Sequence, residues 1–217
     1  MILLSLLTGT ASTGVSLGRD GESLISLSIE GGIRQSETVF SMVKDAFQYV
    51  DLTMDDVDGV AVLQGPGSFT GLRVGFAAAK AIAFAKDIPF LPIDTLDAIY
   101  AKTDVSADVL VLMDARKNRC YGKYFHKDGT WDEEGRVWEM DSLPEASGEV
   151  YVFGEGLLKY KDLLKEKNYL FTLEKDIFLD VSALEKAAFQ LPKEKYQRAY
   201  EGDLNYLKTK EQVVCLK

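Results

Sequence analysis

A strand–turn–strand pattern occurs twice in this chain, about a hundred residues apart, and restricts the fold more than any other feature. "ILLSLLTGTASTGVSLGRDG" runs from Ile2, and "VLVLMDARKNRCYGKYFHKDG" repeats its plan from Val109. In each copy a continuously apolar stretch gives way to turn residues and then to a segment alternating apolar and polar side chains, the period-two signature of a strand. Two such openings imply a duplicated α/β unit, with a mixed sheet in each half flanked by helices. The division is predicted at 1–103 and 104–217.

Between the openings the first half fills in as expected for such a unit. "SLISLSI" extends the first meander to three strands, and Val39, Met42, Val43, Ala46, Phe47 and Val50 recur at helical spacing between Ser36 and Val50. "DDVDGVAVLQ" turns from acidic to apolar, as a buried strand would, and the glycine-rich segment after it opens a second helix to about Lys86. "IPFLPI" reads as a strand and Leu96 to Ala101 as a short helix. In the second half, "GTWDEEGRVWEM" reads as a hairpin strand, "EVYVFGEG" as a strand ending in glycines, and "LLKYKDLLKEK" as an amphipathic helix. Ser182 to Gln190 is predicted as the last helix, while "RAYEGDLNYLKTKEQVVCLK" has no clear period.

Composition excludes several classes of function. With 47% hydrophobic residues in 217, the chain buries a sizeable core. A net charge of −9 weighs against gripping a phosphate backbone unaided, because that binding is carried by Lys and Arg displacing counterions. Any nucleic acid is expected to be held by another molecule, with the lysines of "KEKNYLFTLEKD" and "LPKEKYQRAY" read most simply as solvated surface. Two cysteines, Cys120 and Cys215, are too few for a disulfide framework and leave their pairing open. The opening apolar run lacks a basic leader, and no apolar stretch is long enough to span a membrane, so a soluble cytoplasmic protein is expected. A single histidine, His126, and two distant cysteines make a zinc site or a metalloprotease an unsuitable reading.

"GPGSFTGLRVG", residues 65 to 75, is the most suggestive segment. Its glycines miss the spacing of a dinucleotide fingerprint by one residue, and no lysine follows as a phosphate-binding P-loop requires. Two physical readings remain for the loop. Gly65, Pro66, Gly67 and Ser68 either form a tight strand-to-helix turn capped by Ser68, or present amides to an anion at a helix N-terminus, with Arg73 adding charge. The turn does not account for Gly71 and Gly75, since a mid-helix glycine costs about 1 kcal/mol relative to alanine. Gly71, Gly75, Ala79 and Ala83 recur every four residues and make a bare ridge that another helix, or the sheet beneath, can approach closely.

The same eleven residues resemble the signature of the TsaB family, also called YeaZ, and "DARKNRCYGKYF" resembles that family's second landmark, with Asp114, Arg116 and Tyr121 opening the second lobe. The resemblance extends over nearly the whole chain, strongest from 55 to 125. It implies a two-lobed actin-like, ribonuclease-H-like (ASKHA) fold and a subunit without catalysis of its own. It further implies that the first two helices pack on TsaD, that the ATPase TsaE joins the assembled pair, and that the chain alone can form a homodimer through the same helices. TsaD then transfers threonylcarbamoyl to adenosine 37 of tRNAs reading ANN codons, with ATP and a divalent metal belonging to the partner subunits and none to this chain. TsaD itself is excluded by the histidine count, since it carries two histidines on one helix. The chain departs from the family at "LTGT", where Leu7 stands in place of an aspartate that helps hold a metal ion in actin-like ATPases, and at Gln35, where histidine is usual.

On this reading Phe40, Val43, Phe47, Gly71, Arg73, Gly75, Phe76 and Ala79 carry the partner interface. The competing reading is an autonomous phosphotransferase or ATPase of the same fold, in which Asp114 and Arg116 act on phosphate beside the glycine loop.

Overall fold

The computed structural model describes residues 1–31, 35–131, 135–171 and 179–205, which form two compact units. The first contains a five-stranded sheet of β1 (Ile2–Leu7), β2 (Ser12–Arg19), β3 (Glu22–Glu30), β4 (Gly59–Gly65) and β5 (Phe90–Asp94), in the order β3-β2-β1-β4-β5. β1, β2 and β3 run antiparallel as a meander, while β4 and β5 join in parallel, because a helix intervenes before each. α1 (Gln35–Val50) and α2 (Phe69–Lys86) supply those crossovers, and α3 (Thr95–Tyr100) follows β5 directly.

Strand alternation gives this sheet two different faces. Leu4, Leu6, Val15, Leu17, Val60 and Val62 form one core with Val39, Met42, Val43 and Ala46 of α1 and with Phe76, Ala79 and Ala83 of α2. The opposite face of β2 carries Gly14, Ser16 and Gly18. α5 (Val181–Gln190) lies against it, with Val181 over Gly14 and Glu185 over Gly18, where an added Cβ would stand within 2.8 Å of those side chains.

The second unit repeats the meander in a four-stranded sheet ordered β8-β7-β6-β9, from β6 (Asp108–Arg116), β7 (Arg119–Phe125), β8 (Arg136–Glu139) and β9 (Val150–Phe153). β9 pairs in parallel with β6, as β4 does with β1, so the duplication read from the two openings is present in the topology. α4 (Gly156–Glu166) packs Leu157, Tyr160 and Leu164 onto Leu110, Leu112, Val150 and Val152.

The predicted division is corrected at its far end. The first unit comprises Met1–Ala101 together with Asp180–Asn205, so the stretch from Asp180 to Asn205 belongs to the first unit instead of the second. The physical reason lies in the first sheet, whose glycine-lined face needs a cover that residues 1 to 101 do not fully provide. α5 provides it, started by Asp180, whose carboxylate accepts a 3.0 Å hydrogen bond from Ala183 N. The chain then adds to the outer edge of β5, where Phe90 and Gln197 exchange two main-chain bonds of 2.9 Å. The expected strand within "GTWDEEGRVWEM" is β8, although 132–134 lie outside the described residues, as do Cys215 and most of the aperiodic C-terminal stretch. No helix among the described residues is long and apolar enough to cross a membrane.

Candidate partner-docking face

The glycine loop is built for close backbone packing. Gly65 adopts φ +113, a conformation that favours glycine, and an added Cβ there would meet the carbonyl oxygen of Asn205 at 2.5 Å. An added Cβ on Gly67 would lie 2.8 Å from the carbonyl oxygen of Gly9 in the β1–β2 turn. Ser68 donates its N–H to that same carbonyl at 2.8 Å, and its hydroxyl accepts from Gly71 N at 3.5 Å as the helix cap. Asn205 donates its N–H to Gln64 O at 2.8 Å. Three segments of the chain therefore meet at the loop, and the Ser68 amide that an anion would use is engaged by protein. These contacts favour the capped turn over the anion cradle.

The bare ridge faces inward, which corrects the expectation that it meets a partner. Gly71, Gly75, Ala79 and Ala83 are all buried. Gly75 lies against the end of β1, where a Cβ would collide with the hydroxyl of buried Thr8 and stand 3.3 Å from Val62 Cγ2. Small residues at every fourth position thus let α2 settle onto its own sheet. Val43 and Phe76 belong to the same core, Phe47 is half-buried against it, and only Phe40 and Arg73 of the eight expected interface residues are exposed.

The outward side of α1 and α2 is nevertheless unusual. Phe40 is 54% exposed, Tyr49 75%, Phe69 53% and Phe84 75%. Beyond Phe69 and beside Phe84, Ala77, Ala81 and Ala85 are also exposed and spaced four apart, so a second row of small residues runs along the solvent side of α2. Arg73 stacks over the ring of Phe69, its guanidinium carbon 3.7 Å from the centroid. Large aromatic side chains flanking a flat alanine row match the composition of a protein interface, where aromatic residues and Arg are enriched. Phe69 and Phe84 were absent from the expected set because a run such as "FTGLRVGFAAAKAIAFAK" carries small residues on both sides of the helix. Which row turns outward is decided by the sheet.

The second-lobe motif makes a self-contained turn. Asp114 accepts from Arg116 N at 3.0 Å and from Lys159 Nζ of α4 at 2.8 Å. Arg116, Lys117 and Asn118 follow with φ of 62, 50 and 59, three consecutive left-handed residues that this carboxylate helps to hold. The hydrogen bond that Lys159 donates to Asp114 raises the lysine's pKa, and burial raises that of Tyr121. Burial, reinforced by the Asp114 charge, pushes the Glu155 carboxyl up and the Cys120 thiol up to about 12. Asp114 and Arg116 are thus brought together, but as parts of a hairpin, with Lys159 as the carboxylate's cationic partner. In the first unit, Leu7 is fully buried in the sheet at the end of β1. Among the described residues no group of three or more His, Cys, Asp or Glu is placed to hold a metal ion.

Comparison with known proteins identifies the family and the fold. The family model described as "TsaD: tRNA N6-adenosine threonylcarbamoyltransferase" matches residues 32–201. A tRNA N6-adenosine threonylcarbamoyltransferase of Geobacter sulfurreducens is 32% identical over 70% of this chain, and the match spans about half, 48%, of that protein. The tRNA threonylcarbamoyladenosine biosynthesis protein TsaB of Escherichia coli is 27% identical over 76% of each chain. Among solved structures, YeaZ from Pseudomonas aeruginosa superimposes with a TM-score of 0.79 at 21% identity, covering 95% of this chain and 99% of that one. The expected actin-like α/β plan holds. The chain belongs to the family of the TsaD tRNA N6-adenosine threonylcarbamoyltransferase model and, within it, to the TsaB (YeaZ) proteins of tRNA threonylcarbamoyladenosine biosynthesis.

Proposed function

We propose that this protein is a non-catalytic scaffold subunit that binds TsaD through the exposed side of α1 and α2 and activates threonylcarbamoyl transfer to adenosine 37 of tRNAs reading ANN codons. The observation that carries this reading is the outward row Ala77, Ala81 and Ala85 flanked by the exposed rings of Phe69 and Phe84, with Phe40 and Tyr49 on the neighbouring helix. An alanine row admits a second helix at short distance, and aromatic residues at its ends provide the apolar area such a contact buries. Self-association through the same face is the alternative use of it when the chain is alone. TsaE joins the assembled pair, ATP and the divalent metal reside with the partners, tRNA is reached only indirectly, and the assembly works in the cytoplasm.

Three features support the absence of catalysis in this chain. Leu7 supplies a buried alkyl group where an actin-like ATPase places a carboxylate. The Ser68 amide is bonded to Gly9, and Asp114 is held by Lys159 and by its own turn. His126, the chain's single histidine, lies just beyond β7, stacked on Tyr124.

Sedimentation of the chain alone and with the TsaD of the same organism, paired with a transfer assay on the same samples, tests the proposal. A heteromer whose transfer activity requires this chain is the expected result. No association and no effect on transfer would overturn it, and metal-dependent turnover by the isolated chain that is lost in Asp114→Ala would establish the phosphotransferase reading instead.

A further inference from the structure

A shallow groove of about 430 Å³ lies at the C-terminal end of α1, walled by Phe47, Leu52 and Met54 and bounded by Lys44, Gln48 and Asp51. Its charge is unbalanced at one end. The last turn of α1 contains no basic residue, and the last carbonyls of a helix carry partial negative charge without an intrahelical partner. Asp51 follows directly in a left-handed conformation, φ 51, so a full negative charge adds to the negative end of the helix, the reverse of the favourable arrangement.

The neighbouring acids are all engaged. Asp55 pairs with Lys86 of α2, Asp56 accepts from Thr53 N at 2.8 Å and from its hydroxyl at 2.9 Å, and Asp58 accepts from Ile2 N at 2.6 Å. Asp51 has no hydrogen-bond or ion-pair partner among the described residues. The Lys86–Asp55 pair also ties this segment to the end of α2 that carries Phe84, so the groove continues the exposed α1–α2 face.

We propose that the groove receives an arginine side chain of the protein that docks on the α1–α2 face. The inference rests on the scaffold reading and specifies the chemistry of its partner. An arginine stem fits the apolar wall of Phe47, Leu52 and Met54, and its planar guanidinium meets both the Asp51 carboxylate and the helix-end carbonyls, which accept from a fork of donors. Lys44, two turns earlier on α1, also lines the groove, and its charge directs an entering cation to the Asp51 side.

The test compares the wild-type chain with Asp51→Asn, Asp51→Lys and, as a control of equal charge change in the second unit, Asp104→Asn. Affinity for the TsaD of the same organism is measured by titration calorimetry at two salt concentrations, and each chain alone is melted. Asp51→Asn is expected to weaken the heteromer about tenfold and flatten its salt dependence, and Asp51→Lys to weaken it further. The melting temperature of Asp51→Asn alone should be unchanged or higher, because asparagine tolerates the left-handed conformation and the repulsion from the helix end is gone. Affinity of Asp51→Asn within twofold of wild type, or an equal loss in Asp104→Asn, would overturn the arginine site and leave the scaffold reading standing. Absence of any heteromer with the wild-type chain would overturn both.

Discussion

Gly75 is the position at which one missing carbon sets the position of a helix. Its neighbour Thr8 is fully buried, with no hydrogen-bond partner for its hydroxyl among the described residues, so it has little room to yield to an added Cβ. Gly75→Ala is expected to destabilise the chain by about 1 to 3 kcal/mol despite the better helix propensity of alanine. Combination with Thr8→Ala should recover part of that loss, giving a coupling between the two sites that urea unfolding of the single and double variants would measure. Partner affinity of the folded fraction should not change, since the residue faces inward. Cys120 gives a pH-dependent counterpart. Its folded pKa of about 12 stands above the ordinary thiol value of 9.0, so between those values the unfolded chain releases a proton that the folded chain retains. By linkage its contribution to stability is fully present below about pH 9 and lost as pH rises toward 12. Alkylation of Cys120 by iodoacetamide at pH 8 should accordingly be slower by about a hundredfold or more in the native protein than in urea, read by peptide mass spectrometry.

At the scale of elements, α2 has two rows of small residues with opposite duties. The buried row lets the helix reach the sheet, and the exposed row of Ala77, Ala81 and Ala85 leaves a flat track flanked by Phe69 and Phe84. Phe84→Asp should weaken association with TsaD by about tenfold or more and leave the melting temperature nearly unchanged, because truncating or charging an exposed interface aromatic acts on binding rather than on the core. Ala81→Arg should do the same by obstructing helix approach. An unchanged sedimentation profile in both variants would place the docking surface elsewhere. α5 behaves differently, since it covers the glycine face of β2. Val181→Asp sets a charge against Gly14 in a closely packed interface and is expected to unfold the first unit.

The whole molecule is discontinuous in sequence: the first unit begins the chain, is interrupted by the second, and is completed by Asp180–Asn205. Truncation after Leu179 would remove α5, the main-chain pairing of Gln197 with Phe90 and the Asn205 bond to Gln64 together. The truncated chain is expected to lose the cooperative unfolding transition of the first unit, detectable by circular dichroism in urea. A transition preserved at the wild-type midpoint would mean that residues 1 to 101 fold without their cover.

What the sequence determined by itself follows from local periodicity. The two strand–turn–strand openings, the apolar stripe of α1, the buried run of β4 and the Ser68 cap were legible because each depends on residues adjacent along the chain or one helical turn apart. Tertiary structure alone decided which neighbour each face would meet. The ridge of Gly71, Gly75, Ala79 and Ala83 announces a close approach but not its partner, and Thr8 and Val62, distant in sequence, are what identify it as the protein's own sheet. The return of α5 to the first sheet was hidden for the same reason. An amphipathic helix carries its apolar stripe in its sequence, whereas the surface that buries the stripe is fixed only when distant strands have paired and left one face uncovered.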